Sequence, residues 1–313
     1  MYRIGVDLGG TNIVAGVIDE NKNVISQASV KTPVGSSYKD IVKEIYLTAL
    51  IAAQRADVDI TNVDKIGVCS PGTVNTDTGI VEFAGNLNFH NVPLKKELEQ
   101  YFKSPIAISN DGDAMTYGEF IAGAGKDKKS FVAVVLGTGV GGAVIVDKKL
   151  ISGTNHAVGE IGHMVISIDG EQCNCGRKGC FEAYASATAL IRQTRRAMEA
   201  DVNSIMWQLV DGDIKNVTAK TAFDAVRLND TTAKIVVDNY IKYLSCGVTN
   251  LINIFQPDVL CIAGGVSNEG EYLLKPLMDI VKRERYSKYS VKQTEICTAV
   301  LGGSAAIIGA AYI

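Results

Sequence analysis

One pattern occurs twice in this chain, and it limits the folds available more than any other feature. Residues 4–19 read IGVDLGGTNIVAGVID, and residues 134–149 read VVLGTGVGGAVIVDKK. In each, a hydrophobic run meets a glycine cluster at the same offset. A second hydrophobic run follows and ends at an aspartate, Asp19 or Asp147. Apolar runs bounded by glycine are strand signals, and the short glycine interruption predicts a tight hairpin. Two such units about 130 residues apart predict two related α/β halves; the competing explanation is a chance pair of glycine-rich hairpins.

The segments between them alternate helix and strand. Ile41, Ile45, Thr48, Ala49 and Ala52 share a helical face, and Ser37 with Asp40 reads as a capping box. KIGVCSPG and SPIAISND read as strands running into polar loops. NVPLKKELEQYF reads as a helix with Pro93 in its first turn, and DAMTYGEFIAGAG as a helix stopped by glycine. Further on, SATALIRQTRRAMEA and TAKIVVDNYIKYLSCGVTNLINIF predict long helices, and DVLCIAGGVS a buried strand ending in a Gly-Gly turn. GSAAIIGAAY predicts a small-residue helix that packs closely on a neighbour.

At roughly 150 residues per domain, the 313 residues suggest two domains. The division is expected in the glycine- and lysine-rich stretch near 118–130, giving a small α/β lobe over 1–120 and a large one over 121–302. The helix at 303–313 would return to the first lobe. With 47% apolar and 21% charged residues the chain can bury sizeable cores and does not read as disordered. A net charge of −3 with no basic run gives no footprint for nucleic acid. The opening MYRIGVDLGG has no charged n-region or cleavage site. The uncharged, strongly apolar run 131–146 is short for a membrane span and carries four glycines. A cytoplasmic protein with no membrane partner is expected. Cys69, Cys246, Cys261 and Cys297 sit singly in apolar surroundings and read as buried, inert thiols.

Three glycine turns follow strands: DLGGTN (7–12), GTGVGG (137–142) and AGG (263–265). Such turns let backbone N–H groups approach phosphate oxygens, and threonine adds a hydroxyl. Asp7, just before the first, could hold a hydrated Mg²⁺. The turns lack the lysine of a P-loop, and the first two are followed by a strand rather than a helix, which excludes the Rossmann fingerprint. Each taken alone reads equally as an ordinary hairpin. In ISNDGDAM a strand ends immediately before a helix. Asp111 or Asp113 reads as an N-cap, or Asp111 as an exposed carboxylate able to take a proton from a hydroxyl.

Three of the seven cysteines fall within eight residues: Cys173, Cys175 and Cys180, with His163 ten residues upstream. Three thiolates and an imidazole fit a closed tetrahedral Zn²⁺ site, which leaves no position for a catalytic water. The ion would be structural, and would fix the flanking Glu160 and Glu182. Paired carboxylate oxygens there suit a polyhydroxylated ligand such as a sugar, and the imidazole nitrogen away from the metal could face the same ligand.

DLGGT, SPG at 70–72, NLNF at 86–89, ND at 110–111, GTGVGG, EIGH at 160–163 and CNCGRKGCFE at 173–182 run nearly end to end. Together they resemble the ROK family of bacterial sugar kinases and related repressors, and within it the glucokinases most. The resemblance implies an α/β actin-like ATPase (ribonuclease H-like) fold, with the active site in a cleft between two related lobes. It implies ATP- and Mg²⁺-dependent transfer of phosphate to the 6-hydroxyl of a hexose, with Asp111 as general base and glucose the first candidate. Other candidates are N-acetylglucosamine, N-acetylmannosamine, mannose or fructose, or a sugar-sensing regulator without catalysis. Sugar contacts are implied at Gly72, Asn86, Asn110, Asp111, Glu160, His163 and Glu182. Nucleotide contacts are implied at Gly9, Gly10, Thr11, Asn12, Gly137, Thr138, Gly139, Gly264 and Gly265. Zinc ligands are implied at His163, Cys173, Cys175 and Cys180, and a homodimer or homotetramer is implied as the assembly.

Overall fold

The computed structural model describes residues 1–155 and 158–313. Strands β1 (Arg3–Leu8), β2 (Asn12–Ile18) and β3 (Val24–Lys31) form an antiparallel meander, and β4 (Lys65–Ser70) pairs in parallel with β1. A three-stranded antiparallel sheet follows, from β5 (Thr73–Asn75), β6 (Ile80–Ala84) and β7 (Phe89–Val92). β8 (Ile106–Asn110) then closes the first sheet beside β4, in the order β3-β2-β1-β4-β8. The second half supplies β9 (Phe131–Leu136), β10 (Val140–Val146), β11 (Lys149–Leu150), β12 (Val259–Ala263) and β13 (Glu295–Thr298), in the order β11-β10-β9-β12-β13.

The two orders are the same. Each sheet has a hairpin pair at its centre, a third strand outside it, and two parallel strands added on the other side. The hairpins that repeat in the sequence are these central pairs. Two related halves therefore account for the repeat, and chance does not.

β4 reads as one unbroken apolar run because both faces of the first sheet are covered. The helix Tyr38–Arg55 lies on one side, burying Ile41, Ile45, Ala49 and Ala52. Its capping box is present, with the Ser37 hydroxyl and the Asp40 carboxylate each accepting the other's backbone N–H. The helix Ser304–Tyr312 lies on the other side, at backbone contact. A Cβ built at Gly5 or Gly67 would come within 1.7 or 1.6 Å of a carbonyl oxygen of that helix. Glu119, buried in the helix Asp111–Ala122, ties down the segment leading into it. Its carboxylate accepts the N–H groups of Val300 (3.0 Å), Leu301 (2.7 Å) and Ala124 (3.1 Å).

The chain divides into two compact units. One is Met1–Lys128 with Ala143–Val158 and Val300–Ile313; the other is Lys129–Gly142 with Gly159–Ala299. The second unit carries the helices Ala187–Ala200 and Thr231–Phe255, capped by the side chains of Ser186 and Asp230. No described helix is long and apolar enough to cross a membrane.

Three local expectations change. The segment expected as one helix from Asn91 is strand β7 to Val92, then a short helix Leu94–Leu98 with Pro93 at its N-cap. A proline disfavours helical dihedrals in the residue before it, so Val92 stays extended and the helix begins only after Pro93. The helix after β8 is capped by Asn110, not by Asp111 or Asp113. Of the four single cysteines, Cys69 and Cys261 are buried, whereas Cys246 and Cys297 are only half-buried.

Candidate active site and metal centre

In open α/β sheets, ligands gather beyond the carboxyl ends of parallel strands. In the first unit, parallel pairing sets Asp7 of β1 beside Cys69 of β4, and Ser70 of β4 beside Asn110 of β8. This register brings Asp7 and Asp111 together from positions more than a hundred residues apart in sequence. Both carboxyls are raised above the usual aspartate value. For Asp7, burial raises it most, the Cys69 thiol donating to Oδ1 at 3.6 Å opposes, and the Asp111 charge raises it further. For Asp111 burial again dominates, opposed by backbone N–H groups, including that of Gly112 at 2.8 Å from Oδ1. Two half-buried carboxylates that repel each other at a strand end suit a hydrated divalent cation.

Asn110 works in two directions. Its Oδ1 accepts the N–H groups of Gly112 (2.8 Å) and Asp113 (3.3 Å), capping the helix that begins at Asp111. Its Nδ2 donates to the Gly72 carbonyl at 2.8 Å. Gly72 has φ +87°, and a Cβ there would meet the Phe83 carbonyl oxygen at 2.0 Å, so the SPG loop requires glycine. Asn86 lies in the single turn Gly85–Leu87 and is exposed, with its amide against Gly10 of the first glycine turn. The Gly9 N–H bonds the Asn12 carbonyl at 3.0 Å and closes that turn, leaving Thr11 and Asn12 exposed.

The second unit holds the remaining candidates. Its sheet carries Gly137, Thr138 and Gly139 at the end of β9, and Gly264 and Gly265 at the end of β12, again at the carboxyl ends of parallel neighbours. The metal-ligand candidates are brought together. The ligand atoms of His163, Cys173, Cys175 and Cys180 all lie within 4.8 Å of one another. Cys175 Sγ is 3.6 Å from Cys180 Sγ, and Cys173 Sγ is 3.7 Å from His163 Nδ1. Tetrahedral Zn–S bonds of about 2.3 Å set sulfurs roughly 3.8 Å apart, so the donor set fits Zn²⁺. The loop between these residues is held by backbone bonds, Phe181 N–H to Met164 O at 2.8 Å and Gly179 N–H to Glu171 O at 2.8 Å. Arg196 and Arg192 hold Glu171 from the following helix.

His163 turns its other nitrogen outward, with Nε2 at 3.8 Å from Glu160 Oε2. Glu160 is exposed. Glu182 is more enclosed: its Oε2 accepts the Val140 N–H at 3.0 Å, and its Oε1 is 3.8 Å from Cys173 Sγ. Neither this bond nor the Cys69–Asp7 contact is signalled by the sequence, because each joins residues distant in the chain.

A family model described as the ROK family matches residues 3–313. The glucokinase of Thermotoga maritima is 35% identical over 311 residues, covering 99% of this chain and 96% of that protein. A crystal structure of a ROK family glucokinase from Streptomyces griseus, in complex with glucose and AMPPNP, superposes with a TM-score of 0.81. It is 32% identical, over 99% of this chain and 98% of that one. The xylose repressor of Bacillus subtilis is also similar, at 27% identity over 100% of this chain and 76% of the repressor. Shared strand order, paired strand-end carboxylates, a Cys₃His cluster and matches along the whole chain lead to one conclusion: this chain belongs to the ROK family.

Proposed function

We infer that the chain is a hexokinase-type kinase that phosphorylates glucose with ATP. The observation that carries this reading is the Asp111 carboxylate, at a strand end and at the start of a helix, in a chain similar throughout to glucokinases.

In the proposed mechanism Asp111 is the general base. It accepts the proton of the sugar 6-hydroxyl as that oxygen attacks the γ-phosphorus, and the bond from phosphorus to the bridging oxygen breaks to release ADP. Catalysis of this transfer is mostly positioning and charge stabilisation. Asn110 and Gly72 fix the approach to Asp111 through the bond between them, and Asn86, Glu160, His163 and Glu182 accept and donate to the sugar hydroxyls. The turns Gly9, Gly10, Thr11 and Asn12, then Gly137, Thr138 and Gly139, and Gly264 with Gly265 receive the nucleotide; the N–H groups of Gly9 and Gly137 close their own turns, and the others face the phosphates. Asp7 holds Mg²⁺, which when bound neutralises phosphate charge. His163, Cys173, Cys175 and Cys180 hold Zn²⁺, which fixes the loop bearing His163 and Glu182 and takes no part in the transfer.

A coupled assay with Mg·ATP across glucose, mannose, fructose, N-acetylglucosamine and N-acetylmannosamine tests the substrate. The reading expects glucose to have the highest kcat/KM. A site that reads hydroxyls by hydrogen bonds separates such sugars sharply. A higher kcat/KM for an N-acetylhexosamine would reassign the substrate, and sugar binding without turnover would favour a sensor.

A further inference from the structure

The turn Gly137–Gly139 and the next residue, Val140, are fastened at three places to the metal-bearing loop and the helix that follows it. The Val140 N–H donates to Glu182 Oε2 at 3.0 Å. The Val140 carbonyl packs against Gly162 of the EIGH turn so closely that a Cβ there would lie 2.1 Å from its oxygen. The Gly137 carbonyl accepts the N–H of Ala187, at the start of the helix that follows Glu182, at 2.9 Å. On the other side of the same carboxylate, Oε1 is 3.8 Å from Cys173 Sγ, and Gly162 is the immediate neighbour of His163. A Cβ at Gly139 would sit 2.2 Å from Glu182 Oε2, so this glycine admits the carboxylate.

We propose that Glu182 is a positioning residue for nucleotide as well as a sugar contact. It ties the Gly137–Gly139 turn to the loop that carries the Cys₃His cluster, so that a loop held in place by an intact cluster favours nucleotide binding even without sugar. The inference rests on the kinase reading for what the turn binds. Holding the turn's N–H groups in place before the nucleotide arrives removes an ordering cost from binding. A sugar that engages Glu160, His163 and Glu182 would steady the same strut and so raise nucleotide affinity reciprocally.

The test is calorimetric binding of Mg·AMPPNP to the zinc-loaded protein with no sugar present, for wild type, Glu182→Ala, Glu182→Gln and Gly162→Ala. A hydrogen bond to a charged group sets the scale, so Glu182→Ala is expected to weaken binding by about tenfold or more. Glu182→Gln keeps an acceptor for Val140 N–H and is expected to recover part of that loss. Gly162→Ala is expected to weaken nucleotide binding although it removes no zinc ligand. Near-UV circular dichroism confirms that each variant is folded; if Glu182→Ala is not, Glu182→Gln and Gly162→Ala decide. Unchanged sugar-free AMPPNP affinity in the folded variants would overturn the inference. Glucose turnover by wild type in the same preparation is read separately: a failed strut leaves it intact, whereas a failed kinase reading abolishes it.

Discussion

Asn110 offers a substitution whose effects on folding and on catalysis should separate. Its side chain caps the helix that begins at Asp111 and also donates to the Gly72 carbonyl. Asn110→Ala removes both. Loss of an N-cap acceptor costs about 1 kcal/mol, and loss of a neutral hydrogen bond about another 1 kcal/mol. The expected destabilisation is therefore about 2 kcal/mol. Asn110→Asp keeps the capping oxygen and gains about 0.3–1 kcal/mol from a negative charge at a helix N-terminus. It loses the donor to Gly72 and turns a carboxylate oxygen toward that carbonyl, which costs about 1 kcal/mol or more and offsets the charge gain, so it should still be destabilised less than Asn110→Ala. Its turnover should nevertheless fall, because the new charge adjoins Asp111 and raises a carboxyl that burial has already raised. The assay is urea unfolding followed by circular dichroism, with kcat/KM for glucose measured alongside. Fluorescence is less suitable, since the single tryptophan, Trp207, lies in the other unit. Equal destabilisation by the two substitutions, or wild-type stability of Asn110→Ala, would refute the double role.

Two further outcomes follow from the site. Metal analysis of the purified protein should find about one zinc per chain, as a single closed tetrahedral site requires. The exposed Cys175 thiol should resist labelling until a chelator is added; a zinc-free protein whose Cys175 labels at once would remove the metal from the account. The acid limb of kcat/KM should lie above the ordinary aspartate value of about 3.9. A general base works when ionised, and a carboxyl raised by burial stays protonated to higher pH, so activity is lost earlier on acidification. Because Asp7 and Asp111 repel each other, the limb reports the pair; a limb at or below the ordinary value would contradict the burial argument.

The sequence carried the framework where local chemistry decides conformation. The two glycine-interrupted runs identified the central hairpins, Ser37 and Asp40 marked a real capping box, and the cysteine spacing located the cluster. It misled where several residues could do one job. Asn110, Asp111 and Asp113 are all good caps, and the choice falls on Asn110 because it ends β8 with extended dihedrals, φ −72° and ψ 150°. Phe89–Val92 is too short for periodicity to separate strand from helix, and only its pairing with β6 makes it a strand. The Cys69–Asp7 contact depends on β1–β4 register, and the Glu182–Val140 bond spans 42 residues. Neither has a local signature, and both surround residues the motifs had already marked.

The most direct measurement is the formation of glucose 6-phosphate from glucose and Mg·ATP by wild type and by Asp111→Ala, at matched folding and zinc content. The account predicts stoichiometric ADP and glucose 6-phosphate from wild type, and a loss of about 10²-fold or more in kcat when the base is removed. Near-normal turnover by Asp111→Ala would contradict the proposed base, and no glucose 6-phosphate from wild type would contradict the kinase itself.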